Sequence, residues 1–283
     1  MRLGYIGLGN MGAPMAERLV DWPGGLTVYD VRPEAMTPLV EAGALAARSL
    51  AEVAAADVIS ITVLNDQQVR EVVAELSARA QPGTAIAIHS TISDRTAVQL
   101  ADELAPKRIH IVDAPISGGA AAAKIGDLAV MVGATPEAYE LVKEPFKRFA
   151  GLIVHAGLPG AGTRMKLARN MLTFTSYAAA CEAQRLAHEC GLDIVALGKV
   201  VRHTDAITGG PGAIMVRDSV GPLERDSFLY QPFSHTRDLG EKDLELALAL
   251  GESNSVELPL AETALKTLAD GLGVPHTAST KKE

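Results

Sequence analysis

The chain has 283 residues, more than one hydrophobic core usually holds, so two domains are expected. Its 48% hydrophobic share rests on Ala, Leu and Val rather than on aromatics, which suits helices and buried parallel strands. A net charge of -8, from 26 Lys+Arg against 34 Asp+Glu, argues against a nucleic-acid partner, and no apolar run reaches the length of a membrane span.

Read from the N-terminus, short apolar runs alternate with helical patterns. RLGYIG, LTVYD, ADVISITVL, TAIAIHS, RIHIVDA, LAVMVG and GLIVHA are strand-like, while PMAERLVDW, PEAMTPLVEAG, DQQVREVVAELSARA, DRTAVQLADELA and TPEAYELVKEPFKRFA read as helices. Such alternation predicts a mostly parallel sheet covered on both faces, with ligands at the carboxyl ends of its strands. The rhythm changes after GLPGAGTR. One long helix is predicted over about 163–190, ended by Gly191 as a left-handed cap. LDIVALGKVVRHT, PGAIMVRD, EKDLELALALGE and PLAETALKTLADGLG follow as helices, with no strand among them. The fold class is therefore α/β: a doubly wound sheet over 1–162, then an all-α domain over 163–283 that begins with the long interdomain helix. The tail HTASTKKE is polar and expected to fray.

Cys181 and Cys190 are the only cysteines, outside any CxxC motif or Cys/His cluster. Two reduced, buried thiols on a helix are expected, and no metal site. The first strand pattern begins at residue 2 with no signal sequence ahead of it, which predicts a cytoplasmic protein.

GLGNMG, residues 7 to 12, follows the first strand and opens the first helix. Gly7 permits the tight turn, Gly9 lets backbone approach a pyrophosphate, and Gly12 lets helix pack on strand, with Leu8, Asn10 and Met11 completing the loop. In this context the spacing predicts a Rossmann-type dinucleotide site. LTVYD ends at Asp30, at the distance where a carboxylate hydrogen-bonds the ribose hydroxyls of NAD and repels a 2′-phosphate. Arg32 could shield Asp30, stack on adenine or attract the phosphate of NADP. NAD is the expected cofactor, and Arg32 leaves NADP open.

Four further stretches carry polar groups at element ends. In DAPISGG, Ser117, Gly118 and Gly119 offer a hydroxyl and close backbone N–H groups to a small anion such as a carboxylate. In HSTIS, Ser90 and Thr91 fall at a strand end beside the expected nicotinamide, where Thr91 equally suits a helix N-cap. In EKDLELALAL, Lys242 and Asp243 are expected to start a helix, where a lysine opposes the dipole. GTRMKLARN places Lys166 and Asn170 one helical turn apart, near the domain boundary, so their polar ends can meet.

Together these stretches resemble the β-hydroxyacid dehydrogenase family, which includes 3-hydroxyisobutyrate dehydrogenase and tartronate semialdehyde reductase, over nearly the whole chain. The resemblance rests on GLGNMGAPMA, the Ser90-Thr91 pair, DAPISGG, the G-x-G-x-x-x-K-x-x-x-N run from Gly160 to Asn170, and KDL at Lys242. It implies NAD(P)-dependent interconversion of a small β-hydroxy acid and its semialdehyde. It further implies Lys166 as catalytic acid and base, Asn170 as its orienting partner, Ser117 to Gly119 as the grip on a substrate carboxylate, and Lys242 as a lysine reaching toward cofactor and substrate. Leu64 and Asn65 stand where the family has a cofactor-lining Leu-Pro pair, with Asn65 replacing the proline. A homodimer or homotetramer is implied as well.

Two departures accompany the resemblance. His235 stands where the family commonly has phenylalanine, seven residues before Lys242, with Phe233 displaced by two; it is either a packed or surface histidine or a polar contact that adapts the pocket to its substrate. His89 precedes Ser90 where the family often has an apolar residue, and reads as a satisfied strand-end histidine. For Lys166 to act as a base its pKa must fall, through desolvation or a neighbouring cation such as Lys242. Among rival readings, a decarboxylating 6-phosphogluconate dehydrogenase calls for a longer helical domain, and imine reductases generally lack the lysine at position 166. A non-catalytic dinucleotide sensor would need only the glycine loop.

Overall fold

A computed structural model describes residues 1–277 and divides the chain into two compact units, Met1–Arg169 and Asn170 onward. The strands are β1 (Leu3–Ile6), β2 (Leu26–Tyr29), β3 (Leu45–Ala46), β4 (Val58–Ile61), β5 (Ala85–Ile88), β6 (His110–Asp113), β7 (Ile116–Ser117), β8 (Leu128–Gly133) and β9 (Ala150–Gly157). They form one sheet in the order β3-β2-β1-β4-β5-β6-β8-β7, with β9 also paired to β8. The pairings from β3 through β6 are all parallel, while β8 runs antiparallel to β6 and β7 and parallel to β9. The chain direction of the winding reverses between β1 and β4, the switch point at which such sheets open a ligand crevice.

The helices of the first unit are α1 (Gly12–Glu17), α2 (Thr37–Glu41), α3 (Leu50–Val53), α4 (Asp66–Ser77), α5 (Asp94–Leu104), α6 (Gly119–Ile125) and α7 (Pro136–Phe146). Strands β1, β4 and β5 are buried along their whole length, because alternate side chains enter two different cores. Tyr5, Ala85 and Ala87 face one core with Met15, Phe146 and Phe149, whereas Ile6, Ile59, Ile61, Ile86 and Ile88 face the other with Val69, Val73 and Leu100. A one-residue slip would exchange the small and large sets between faces, so side-chain size fixes the register.

The long helix α8 (Ala161–Glu189) contains the unit boundary, and Gly191 follows it at φ +73 as the left-handed cap. The second unit continues with α9 (Ile194–Thr208), α10 (Tyr230–Ser253) and α11 (Pro259–Leu272), and contains no strand among its described residues. Its core gathers Phe233, Leu272 and Val274, with Leu223, Leu229, Tyr230 and Leu268 against them. Buried Glu182 of α8 accepts the backbone N–H groups of Leu260 and Ala261, capping the first turn of α11 behind Pro259.

Several elements differ from the sequence reading. PMAERLVDW is helical only to Glu17, and PEAMTPLVEAG breaks into a 3-10 turn at Pro33–Ala35 followed by α2. The short β3, β7 and α6 were not foreseen. PGAIMVRD is not a helix: the 3-10 turn Gly210–Gly212 takes in only its first two residues, and Gly209 and Gly210 ahead of it both take positive φ. α10 begins at Tyr230, twelve residues before Lys242, so Lys242 and Asp243 lie in mid-helix and the dipole argument for them does not apply. Cys181 is exposed and Cys190 half-buried, not buried as expected, since α8 turns Glu182 and Ala187 inward instead. In the tail, His276 and Thr277 bond to buried Glu241, and residues 278–283 lie outside the described part.

Candidate active site

The glycine loop sits at the switch point. Gly7 has φ +87, and a Cβ there would collide with the Thr62 carbonyl; one at Gly12 would strike the Gly7 carbonyl. Gly9 has open space where a side chain would project, which is the room a pyrophosphate needs. The cleft beside this loop has a volume of about 670 Å³ and is lined by Gly7, Gly9, Asp30, Arg32, Leu64 and the α4 residues Glu71 and Glu75. These residues fit a dinucleotide: a bare loop opens onto a cavity with a carboxylate at the end of β2.

Asp30 is almost fully buried and braces the loop. Its Oδ2 accepts the Leu8 N–H at 2.7 Å, and its Oδ1 accepts both the backbone N–H of Arg32 at 2.9 Å and the Arg32 Nε at 3.3 Å. Burial works to raise the Asp30 pKa, but these donors and the guanidinium charge outweigh it and hold the carboxyl below its ordinary range. Among the possibilities for Arg32, the structure shows the shielding one.

Of the residues at the ends of β4 and β5, Leu64 is 87% exposed and lines the cleft. Asn65 caps α4, its side chain accepting the Gln68 N–H at 3.0 Å, while the Gln68 side chain accepts the Leu64 N–H at 2.9 Å. Thr91 is exposed and is not an N-cap; that position falls to Ser93, before α5. Ser90 joins the two strand ends through Val63, donating to its carbonyl at 2.6 Å and accepting its N–H at 3.0 Å. His89 is fully enclosed: one ring nitrogen meets the Ala114 carbonyl at 2.8 Å, the other the Ser60 hydroxyl at 3.0 Å, and Phe146 and Phe149 pack edge-on to the ring. Burial pushes its pKa down to about 4, so it is a neutral core residue.

DAPISGG leaves β6 and turns back through β7 into α6. Gly118 and Gly119 take φ +130 and +71 and are exposed, so two successive peptides adopt a conformation that other residues resist, with no side chain to cover them. Asp113, at the start of the motif, is completely buried, and its two oxygens accept the N–H groups of Gly160 and Thr163, each at 2.6 Å. Burial raises the Asp113 pKa against the opposing pull of these bonds. The buried Thr163 hydroxyl adds a favourable dipole toward the carboxylate without completing a hydrogen bond of good geometry. Sequence reasoning missed Asp113; the signal was an acidic residue closing an otherwise apolar strand, costly unless it caps something.

Lys166 follows Thr163 by less than a turn of α8 and is 8% exposed. Burial lowers its pKa, and the positive charge of Arg169 on the same helix adds to the effect. Asn170, one turn further along α8, is half-buried. In the second unit, Lys242 is exposed and paired with Asp243 at 3.1 Å. His235, two turns earlier on α10, is also exposed, while Phe233 faces the unit's own core. Among the described residues no cluster of three or more His, Cys, Asp or Glu side chains could hold a metal ion, and no helix is long and apolar enough to cross a membrane.

Residues 2–157 match the model of the NAD-binding domain of 6-phosphogluconate dehydrogenase, and residues 160–274 match that of the NAD-binding region of NADP-dependent 3-hydroxyisobutyrate dehydrogenase. The fold and cleft are thus those of an NAD(P)-binding oxidoreductase. The chain belongs to the β-hydroxyacid dehydrogenase family. It is 68% identical to an uncharacterized oxidoreductase of Mycobacterium tuberculosis over 97% of this chain and 94% of the relative. It is 32% identical to the 3-hydroxyisobutyrate dehydrogenase of Pseudomonas aeruginosa over 93% of this chain and 89% of that enzyme. The crystal structure of a Mycobacterium avium 104 protein, named as an oxidoreductase, superposes with a TM-score of 0.94 at 72% identity, covering 97% of this chain and 99% of that one.

Proposed function

We propose that the protein is a cytoplasmic, NAD-dependent dehydrogenase that interconverts a small β-hydroxy acid and its semialdehyde, with Lys166 as general acid and base. The observation that carries this reading is the near-complete burial of a lysine whose pKa is lowered, on a helix held beside the DAPISGG segment. When bound, the nicotinamide supplies the hydride chemistry; the chain supplies orientation and a proton path. Neutral Lys166 Nζ takes the proton of the substrate hydroxyl during oxidation and returns it during reduction. Asn170 keeps hydroxyl and amine in register, and Ser117, Gly118 and Gly119 hold the carboxylate, which fixes the face of carbon presented for transfer. For Lys242 as a substrate contact, and for Leu64, Thr91 and Lys242 beside the cofactor, the support is the motif resemblance, joined for Leu64 by its place in the cleft; for His235 and Asn65 it is their position alone, since each replaces the residue the family commonly has.

The preference for NAD is supported by the ionised Asp30, by the engagement of Arg32 with it, and by Glu71 and Glu75 along the same cleft, all unfavourable to a 2′-phosphate. Self-association is supported by Phe174, Tyr177, Val195, Val200 and Ile207, apolar side chains that α8 and α9 leave exposed. The deciding experiment screens short β-hydroxy acids and semialdehydes with NAD(H) and NADP(H), using wild type and Lys166→Ala. The variant should bind NAD within about threefold of wild type and lose turnover by roughly 10³ or more. NAD binding without activity on any member of the panel would instead favour a sensor.

A further inference from the structure

We propose that Asp113 is a positioning residue that locks the helix carrying Lys166 to the segment carrying Ser117 to Gly119, keeping the proton-transfer group and the anion-holding loop at a fixed separation. The inference rests on the reading of Lys166 as acid and base.

A helix leaves its first N–H groups without partners, and a local side chain at the N-cap usually supplies an acceptor. The residue before α8 is Gly160, which has no side chain. The acceptor comes instead from Asp113, 50 positions before Thr163, whose two oxygens each take one N–H of the opening turn at 2.6 Å. Asp113 and Ser117 belong to the same short stretch of chain, four residues apart, and Lys166 is three residues beyond Thr163. The carboxylate thus connects the two working segments through a pair of charge-assisted bonds, a two-point attachment that resists rotation as well as withdrawal.

Packing reinforces the connection. A Cβ on Gly162 would collide with the Met131 and Asp113 carbonyls, and one on Gly133 would collide with the Asp113 carboxylate and lie 2.8 Å from the Gly162 nitrogen. The helix end is therefore seated directly on the backbone of β6 and β8. A cap needed for stability alone can be local. This one is borrowed from the strand that leads into the proposed carboxylate loop, and the borrowing sets the geometry between them.

The test is Asp113→Asn, compared with wild type and Lys166→Ala on whichever of 3-hydroxyisobutyrate, glycerate and L-serine wild type oxidises fastest. The amide keeps the shape but turns an N–H donor toward one of the two helix N–H groups. The expected result is a kcat lower by about 30- to 100-fold, the scale of a misplacement of about an ångström. The KM for NAD should stay within about twofold, and the lysine limb of the pH–rate profile should move up toward an ordinary lysine. A folded variant with kcat within about threefold of wild type and an unmoved limb, beside an inactive Lys166→Ala, overturns the inference while leaving the proposed function intact. An active Lys166→Ala removes both. Should the variant not fold, hydrogen exchange on the wild type decides: amides from Gly160 to Lys166 should be as protected as those of β5 and β6, and fast exchange there overturns the inference.

Discussion

The Asp30 carboxylate accepts the Leu8 N–H at 2.7 Å, so the group proposed to select the ribose also holds the glycine loop against the end of β2. Asp30→Asn is expected to act twice. Losing a charged acceptor for the loop costs about 1.5–3 kcal/mol, which thermal or denaturant unfolding reads. Loss of the negative charge should also narrow the ratio of kcat/KM for NAD over NADP by about tenfold or more. An unchanged ratio would remove Asp30 as the selector.

Lys166 is expected to trade stability for function. Burial lowers its pKa in the folded state, so between that value and 10.5 the native protein binds fewer protons than the unfolded chain and stability rises with pH. Below that window the full cost of a buried cation is felt. Lys166→Met should abolish turnover, raise Tm by about 1–3 °C near neutral pH, and flatten the alkaline part of the stability curve. In wild type the oxidation rate should climb with pH to a midpoint below 10.5. A lower Tm for the methionine variant would count against a desolvated lysine.

His89 should make the fold sensitive to acid. Its folded pKa is about 4 against an ordinary 6.5, so stability is complete above pH 6.5 and declines as the pH falls toward 4, where the unfolded chain takes up the proton first. The loss amounts to about 3 kcal/mol at most. His89→Leu leaves the Ser60 hydroxyl and the Ala114 carbonyl without partners and so starts less stable, but its urea midpoints between pH 6.5 and 4 should lack that share of the slope.

Glu182→Ala should destabilise the second unit by about 2 kcal/mol or more, because Leu260 and Ala261 lose a charged acceptor at the head of α11. Glu182→Gln keeps an acceptor for one of them and should fall between. Denaturant unfolding ranks the three; equal midpoints would mean that water replaces the carboxylate at no cost.

What the sequence made legible was whatever repeats or obeys a spacing. Apolar runs such as VISI and AIAI become strands buried on both faces, and the glycine loop sits where its spacing requires. Helix α10 begins well ahead of the EKDLELALALGE pattern, and neither Pro232 nor Gly240 interrupts it. Pro232 falls in the first turn, where no N–H is needed, and Gly240 is where α10 meets α11, since a Cβ there would lie 2.5 Å from Leu268. Helix α6 hid behind two glycines, although AAAAKIG carries its own stop, a basic last turn and Gly126 at φ +76. Asp113 carried a signal only in kind, an acid closing an apolar strand; its partners lie about 50 residues away, and no local pattern says which groups it holds.

Asn65 has a consequence for anyone who engineers this chain toward the average of its relatives. The residue caps α4 from an extended backbone, φ −153, whereas proline holds φ near −65°. Restoring the family's proline here would remove the cap and force the β4–α4 turn into another shape, moving Leu64 at the mouth of the cleft. A substitution that rigidifies loops elsewhere would loosen this one, and homology-guided thermostabilisation should leave position 65 as it is.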